Sequence, residues 1–369
     1  MNQFRLNKIS LHLFYILLAL LLISCGLTSA PEIGRQPVLS TLTPTPQPTG
    51  TFTPFPPSPP DPSPTRYLTA TLAATDTATA TPTVTSTSTP EPSATLTPTD
   101  LPPTPNPYST VRFAVIGDYG LAGQAEEDVA NLIKGWGPDF IITTGDNNYP
   151  NGASATIDEN IGQYYHEYIY PYNGRYGSGA TYNRFFPSLG NHDYITLGAE
   201  PYFEYFTLPG NERYYDFTWG PLHLFAINSD PNEPDGVGRS SSQAAWLRER
   251  MALSTLPWKI VYMHHAPYSS GYHGSTDWSR WPYKEWGASA VLAGHDHTYE
   301  RLIVDDLPYF VNGLGGGPRY TFSGVYPGSQ ERFSDEYGAM LVTATYTELT
   351  FSFYTRHGDC IDIYTLTAP

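Results

Sequence analysis

A long stretch of the chain, residues 30–108, consists mainly of threonine, proline and small side chains. Such a stretch has too few large apolar side chains to offset the conformational entropy lost on ordering, and its prolines favour extended polyproline II backbone. We therefore predict a disordered spacer over residues 25–108. The roughly 260 residues that remain, 109–369, are enough for one domain with a sizeable hydrophobic core.

The start of the chain predicts export. Arg5 and Lys8 precede an apolar run over residues 9–23, which is shorter than the roughly 20 residues that a membrane-spanning helix needs. The run ends in Leu-Ile-Ser-Cys at Cys25, which resembles a bacterial lipobox. The resemblance implies a signal peptide over residues 1–24 and a lipid on Cys25, so that the body is anchored to the membrane at the cell surface or in the envelope. The alternative is an uncleaved signal anchor with an incidental cysteine.

Charge and cysteine content exclude several classes of protein. The net charge is −16, with 35 acidic and 19 basic side chains. Nucleic-acid binding depends on Lys and Arg that displace counterions, so a nucleic-acid scaffold is excluded as a partner. Cys25 and Cys360 are the two cysteines, and two are too few for a disulfide framework or a Cys-type zinc site. Packing, or a different kind of metal site, must therefore stabilise the domain.

The folded part begins with the pattern of a β-α-β unit. An apolar run at residues 111–116 predicts a buried strand, and apolar residues at helical spacing from Ala125 to Ile133 predict a helix before a second strand at 140–142. Further strands are predicted at 222–227, 258–263 and 290–293, a helix at 243–253, and a final antiparallel meander at 339–342, 349–354 and 360–364. We therefore predict mixed sheets covered by helices.

Polar motifs stand where the chain leaves these elements. In open α/β sheets, ligand sites gather at the carboxyl ends of strands. Each motif offers a metal ligand; they read Gly117-Asp118-Tyr119-Gly120, Gly145-Asp146-Asn147-Asn148-Tyr149, Gly190-Asn191-His192-Asp193, Met263-His264-His265 and Gly294-His295-Asp296-His297. Carboxylates, imidazoles, one amide and one phenol suit Fe, Mn or Zn better than a thiolate-seeking metal. These ligands are too many for one ion, and two ions roughly 3.5–4 Å apart would use them all, in the arrangement that in-line displacement at phosphorus requires.

In this order, the five motifs resemble those of the purple acid phosphatases, within the calcineurin-like metallophosphoesterase superfamily. Tyr299-Glu300-Arg301 after the last histidine pair adds to the resemblance. Related phosphoesterases usually carry Asp-x-His in the first motif, and this chain has Gly120 at the position of that histidine. Tyr149, in the second motif, lies where the purple enzymes have a metal-bound tyrosinate. The resemblance implies an α/β fold, a four-layer α/β/β/α sandwich of two mixed β-sheets flanked by helices.

The resemblance also implies a role for each ligand. The first ion, Fe(III), would be bound by Asp118, Tyr149 and His297, and the second, a divalent Fe, Zn or Mn, by Asn191, His264 and His295. Asp146 would bridge the two ions. The implied reaction is phosphomonoester hydrolysis of the acid phosphatase type, in which a hydroxide attacks phosphorus in line while His192 protonates the leaving alcohol and Asp193 orients the His192 ring.

Two rivals to this reading stay open. One is a phosphodiesterase or nucleotidase on the same dinuclear scaffold, and the other is a surface lipoprotein that binds an envelope polymer and keeps the metal site as a relic.

Two further histidines also allow alternatives. His273 would contact the phosphate or lie in a solvated loop, and His265 would contact the substrate, support a ligand or simply be buried. Asp296 is expected to point away from its two neighbouring histidines, because alternate residues do so in extended backbone.

Overall fold

The computed structural model describes residues 110–368. The predicted signal peptide (1–24), the predicted spacer (25–108) and Cys25 lie outside the described residues. Within them, none of the helices combines the length and the apolar character that crossing a bilayer requires.

Within residues 110–368, thirteen strands form two mixed sheets. The strands are β1 (Val111–Ile116), β2 (Phe140–Thr143), β3 (Phe185–Pro187), β4 (Tyr215–Trp219), β5 (Leu222–Ala226), β6 (Trp258–His265), β7 (Ala290–Gly294), β8 (Tyr299–Val304), β9 (Leu307–Asn312), β10 (Ser329–Phe333), β11 (Gly338–Ala344), β12 (Glu348–Thr355) and β13 (Cys360–Thr367). The first sheet has the order β13-β12-β11-β1-β2-β3 and the second β10-β8-β9-β7-β6-β5-β4. Parallel pairing within β1-β2-β3 and within β5-β6-β7 aligns the carboxyl ends of these strands at one edge of each sheet.

The helices are mostly short. They are α1 (Gln124–Trp136), α2 (Ser154–Ile157), α3 (Gln163–Tyr165), α4 (Asn191–Tyr194), α5 (Glu200–Tyr205) and α6 (Ser242–Leu253), with a π-helical turn at Asp158–Gly162 and 3-10 turns at His166–Tyr168, Leu197–Ala199 and Asp277–Ser279. The helix α1 ends where Gly137 adopts a left-handed conformation with φ 59°, which glycine does without steric cost. It packs against the first sheet at β11.

Alternation along the strands divides the apolar residues between two layers. In β5, Leu222 and Leu224 belong to the core between the sheets, whereas Phe225 packs with Leu247 and Met251 of α6 on the outer face. Successive residues of a strand point to opposite faces. A strand with apolar residues in both directions is therefore buried on both sides, which explains why β5 is apolar on both faces except at His223.

Aromatic pairs join the inner faces of the two sheets. The ring centroids of Phe310 and Phe351 lie 4.6 Å apart, and those of Tyr299 and Phe353 lie 4.1 Å apart. At the other end, Phe186 stacks on Phe217 at 3.8 Å. Such pairs add to the stabilisation that burial gives. With α1 outside one sheet and α6 outside the other, the fold is the predicted α/β/β/α sandwich.

The sequence predicted the long elements and missed the short ones. The first β-α-β unit, the helix at 243–253 and the C-terminal antiparallel meander are confirmed. The strands β3, β4, β8, β9 and β10 were not predicted. Two of these are weak signals: β3 is three residues long, and β10 has no fully buried residue, so hydrophobic periodicity has little to detect.

Glu126, in the first turn of α1, is fully buried, and neither carboxyl oxygen has a hydrogen-bond partner within residues 110–368. Burial raises the pKa of Glu126 well above its usual value, so the folded state binds this proton more tightly than the unfolded chain does. The contribution of this carboxyl to stability is present below the unfolded pKa and is lost as the pH rises through the folded pKa.

We therefore expect the free energy of unfolding of Glu126→Gln to exceed that of the wild type by about 1–2 kcal/mol at pH 8, and to show no such gain at pH 4. Chemical denaturation at both pH values measures the difference. Glu127→Gln is the matched control, because Glu127 is the exposed neighbour on the same turn, and it should not change the pH dependence. An equal gain at both pH values would contradict a titration effect.

Candidate metal centre

Three of the predicted ligands occupy unusual backbone conformations where the chain leaves a strand. Asp118 after β1 has φ 54°, Asp146 after β2 has φ 52° and His295 after β7 has φ 70°. Non-glycine residues rarely adopt positive φ, and such strain persists where the surrounding structure enforces it, often at functional sites. Here the backbone N–H of His295 donates to both carboxylate oxygens of Asp118, at 3.2 and 3.0 Å, which links the two sheets at the site.

One group of ligand atoms gathers between β1, β2 and β7. The donor atoms of Asp118, Asp146 and His297 all lie within 4.8 Å of one another. The hydroxyl of Tyr149 lies 3.0 Å from Oδ2 of Asp146, 3.4 Å from Oδ1 of Asp118 and 3.0 Å from Nε2 of His297. These four side chains are the ones predicted to surround the first ion, with Asp146 as its shared ligand.

A second group adjoins the first. Nε2 of His264 lies 2.9 Å from Oδ1 of Asn191 and 3.1 Å from Nδ1 of His295. The same Nε2 is 3.4 Å from Oδ1 of Asp146, whose other oxygen faces Tyr149. Asp146 therefore lies between the two groups, with one oxygen toward each. The structure thus brings all seven predicted metal ligands together in a single cluster.

Backbone carbonyls orient two of the histidines that are predicted to bind metal. Nδ1 of His264 donates to the carbonyl oxygen of Thr144 at 2.9 Å, and Nδ1 of His297 donates to that of Pro318. In the neutral imidazole each bond fixes the proton on Nδ1, so that Nε2, which is directed into the cluster, is free to bind a metal. The sequence reading missed Pro318, although the three glycines before it were a signal. A Cβ on Gly317 would lie 2.8 Å from the carbonyl oxygen of Asp118, so only glycine allows this approach.

The chemistry of the pocket fits metal cations. Asp118 and Asp146 are at most 1% exposed, and their ion pairs within the described part of the chain are with histidines. Buried carboxylates are costly unless a positive charge compensates them. Burial and the charges of Asp146 and Asp118 raise the pKa of Tyr149 well above its usual value, so its phenol stays protonated unless a cation is close. Carboxylate, imidazole, amide and phenolate donors suit iron, zinc or manganese.

His192 and Asp193 lie beside the cluster, but not in the predicted relation. Nδ1 of His192 donates to the carbonyl oxygen of Pro150 at 2.6 Å. The carboxylate of Asp193 instead accepts hydrogen bonds from Asn147 and from the backbone N–H of Gly190. The prediction that Asp193 orients the His192 ring is therefore wrong, because α4 directs the two side chains to different neighbours. Burial and the charge of Asp146 raise the pKa of Asp193 to about 7.

Nε2 of His192 faces the cluster, 3.9 Å from Oδ2 of Asp146, and its ring lies 4.6 Å from that of Tyr149. The other two predicted histidines flank His295. The ring centroid of His273 lies 4.2 Å from that of His295, and the ring centroid of His265 lies 4.6 Å from that of His295. Burial and the charge of His264 lower the pKa of His265 to about 3, so it is a neutral imidazole. Substrate contact by His265 and His273 stays a prediction.

Comparison with known proteins agrees with this geometry. Residues 111–299 match the model of the calcineurin-like phosphoesterase family. The chain is 26% identical to purple acid phosphatase 17 of Arabidopsis thaliana over 68% of this chain and 83% of that protein. It is 24% identical to tartrate-resistant acid phosphatase type 5 of Rattus norvegicus over 57% of this chain and 73% of that protein.

A solved structure agrees in fold. The purple acid phosphatase isolated from yellow lupin (Lupinus luteus) seeds superposes with a TM-score of 0.57 at 17% identity, over 70% of this chain. The chain spans about half of that protein, 54% of its length. The family match covers more than half of the 369 residues, including all seven predicted ligands. This chain therefore belongs to the calcineurin-like phosphoesterase family and is a phosphatase-type hydrolase whose relatives include purple acid phosphatases.

Proposed function

We propose that this protein hydrolyses phosphate monoesters, as an acid phosphatase with a dinuclear Fe(III) and divalent Fe, Zn or Mn centre. One observation carries the proposal: Asp146 directs one carboxylate oxygen to Tyr149 and the other to His264. A carboxylate between a phenol-containing group and an imidazole-containing group is the arrangement that two adjacent ions would share. The relatives named purple acid phosphatase support iron as one of the metals.

When bound, two such ions would supply the positive charge that lowers the pKa of a water molecule and neutralises the phosphoryl oxygens. The residues of the chain determine where that chemistry takes place. Asp118, Tyr149 and His297 would hold the first ion, while Asn191, His264 and His295 would hold the second. Because backbone carbonyls orient His264 and His297 and most of the other predicted ligands lie at or just after strand ends, the site is preorganised, which lowers the cost of holding the phosphate in position.

His192 would act as the general acid. Its Nδ1–H is already engaged with the carbonyl oxygen of Pro150, so Nε2 is the atom that carries and transfers a proton. His192 is not fully buried, its side chain being 34% exposed, and it borders the cluster beside Tyr149. A leaving alcohol that departs toward solvent would pass this nitrogen. Protonating the leaving oxygen there avoids the release of an unstable alkoxide.

The purified, metal-loaded chain should hydrolyse p-nitrophenyl phosphate and should be coloured, because a tyrosinate bound to Fe(III) absorbs visible light. Tyr149→Phe should lose the visible band while the protein keeps its fold, since the phenyl ring fills the same space. An absorption spectrum and an iron assay on the same sample test both expectations. Tyr320→Phe is the matched control. Tyr320 stacks on His297 at 4.1 Å but is not among the predicted ligands, so this variant should keep the visible absorption band. A colourless wild type that contains iron would contradict the Fe(III)-tyrosinate assignment.

A further inference from the structure

The loop of residues 269–274, called the His273 loop below, carries His273 to the metal centre. The imidazole of His273 lies 4.2 Å from that of His295, with the ring planes tilted by 32°. His273 is exposed, and the ring of the predicted ligand His295 packs against it. An exposed side chain on a loop normally samples several positions, so something must keep this ring beside the centre.

Asp296, between the predicted ligands His295 and His297, contacts this loop directly. Its carboxylate is fully buried and accepts hydrogen bonds from Oγ of Ser269 at 2.5 Å and from the backbone N–H groups of His273 at 2.7 Å and Gly274 at 3.2 Å. As expected from the sequence, Asp296 points away from the cluster of ligands. It points into the His273 loop, and it holds the backbone of His273 itself.

The fit between Asp296 and the loop is close. A Cβ on Gly271 would lie 2.2 Å from Cγ of Asp296, a distance that no real side chain could occupy. The start of the loop is fixed separately by Glu300, which accepts hydrogen bonds from the backbone N–H of Ser270 at 2.7 Å and from its hydroxyl at 2.6 Å. Charge-assisted bonds of this kind are the strong ones. Glu300 therefore anchors the entry of the loop, while Asp296 determines where His273 lies.

We propose that Asp296 is a positioning residue for substrate binding: by holding the backbone of His273, it keeps the imidazole beside His295, where it contacts the phosphate of the substrate. The proposal rests on the proposed function, because it needs a phosphate ester at the metal centre. One residue would thus couple the ligand pair His295 and His297 to the histidine that binds substrate. The expected consequence is a specific loss of phosphate binding when the Asp296 carboxylate is removed.

Steady-state kinetics with p-nitrophenyl phosphate on the full chain test this proposal, together with inhibition by inorganic phosphate. Asp296→Asn should raise KM about 10-fold, with a smaller change in kcat, and should weaken inhibition by phosphate to the same extent. His273→Ala should show the same pattern. Because Asp296 acts through His273, the double variant should be no worse than His273→Ala alone, whereas independent effects would multiply. Ser269→Ala, which removes one bond to Asp296, should raise KM less and serves if Asp296→Asn does not fold.

Three controls separate positioning from general damage. Metal content should stay at the wild-type value in Asp296→Asn. Asp158→Asn, which removes another carboxylate that accepts bonds from side chains and backbone, should leave KM unchanged. If the wild type hydrolyses no ester, the proposed function fails, and calorimetric titration of the metal-loaded variants with inorganic phosphate tests the positioning role by itself. Unchanged KM and phosphate affinity in Asp296→Asn, multiplicative effects in the double variant, or loss of metal would each overturn the proposal.

Discussion

Asp146→Asn should lower kcat/KM for p-nitrophenyl phosphate by about 10³-fold or more, and the purified variant should hold at most one metal ion per chain. Asp146 faces both groups of predicted ligands, with Oδ2 3.0 Å from Tyr149 and Oδ1 3.4 Å from His264. The amide in the variant is neutral and binds cations weakly, so neither ion keeps its shared anionic ligand. Kinetics and elemental analysis on the same preparation measure both effects.

The matched control is Asp216→Asn. Asp216, on β4, is also a shielded carboxylate, which bonds Nε2 of His223 at 2.7 Å and pairs with the positive charge of Arg250. Its loss should cost some stability but should leave metal content and kcat/KM within about twofold of the wild type, because surface and partly buried ion pairs contribute modestly. A dinuclear site that survives Asp146→Asn would contradict the bridging role.

In His192→Ala, kcat should fall about 10²- to 10⁴-fold with an alkyl phosphate as substrate and by a distinctly smaller factor with p-nitrophenyl phosphate. The reason lies in the leaving group: an alkoxide needs a proton as it departs, whereas p-nitrophenolate is stable without one. A ligand or structural role would lower both rates equally. The ratio of the two losses therefore measures proton donation, and it is obtained from kcat values for both esters with each variant.

His166→Ala is the matched control for this test. Like His192, His166 bonds a backbone carbonyl through Nδ1, here that of Gly162 at 2.9 Å, but it lies on the 3-10 turn His166–Tyr168 and outside the cluster. It should leave both rates unchanged. Equal losses on the two esters in His192→Ala would exclude His192 as the general acid, whatever their size.

The sequence predicted the site better than it predicted the connections that support it. Asp118, Asp146 and His295 follow strands whose apolar runs are easy to recognise, and His264 lies near the end of β6. Parallel pairing places the carboxyl ends of these strands at one edge of each sheet. Their convergence therefore follows from local patterns and one topological rule. The resemblance to a known family then supplied Tyr149, because a lone tyrosine after a strand has no distinctive pattern.

Other features depend on tertiary contacts that no local pattern encodes. Pro150 and Pro318 act through their backbone carbonyls, and every residue has a carbonyl, so sequence cannot single them out. Asp193 was expected to follow the family reading of the motif, but it bonds Asn147 and Gly190 because the short helix α4 rotates it away from His192. The buried contacts of Asp296 with the His273 loop likewise join residues more than twenty positions apart.

In the proposed dinuclear centre, two metal ions are bound by Asp118, Asp146, Tyr149, Asn191, His264, His295 and His297. X-ray diffraction from crystals of the metal-loaded protein, with data collected on both sides of the iron absorption edge, tests it most directly. We predict two anomalous peaks roughly 3.5–4 Å apart, on either side of the Asp146 carboxylate, with iron at the one nearer Tyr149. A single peak, or none beside these side chains, would contradict a dinuclear centre.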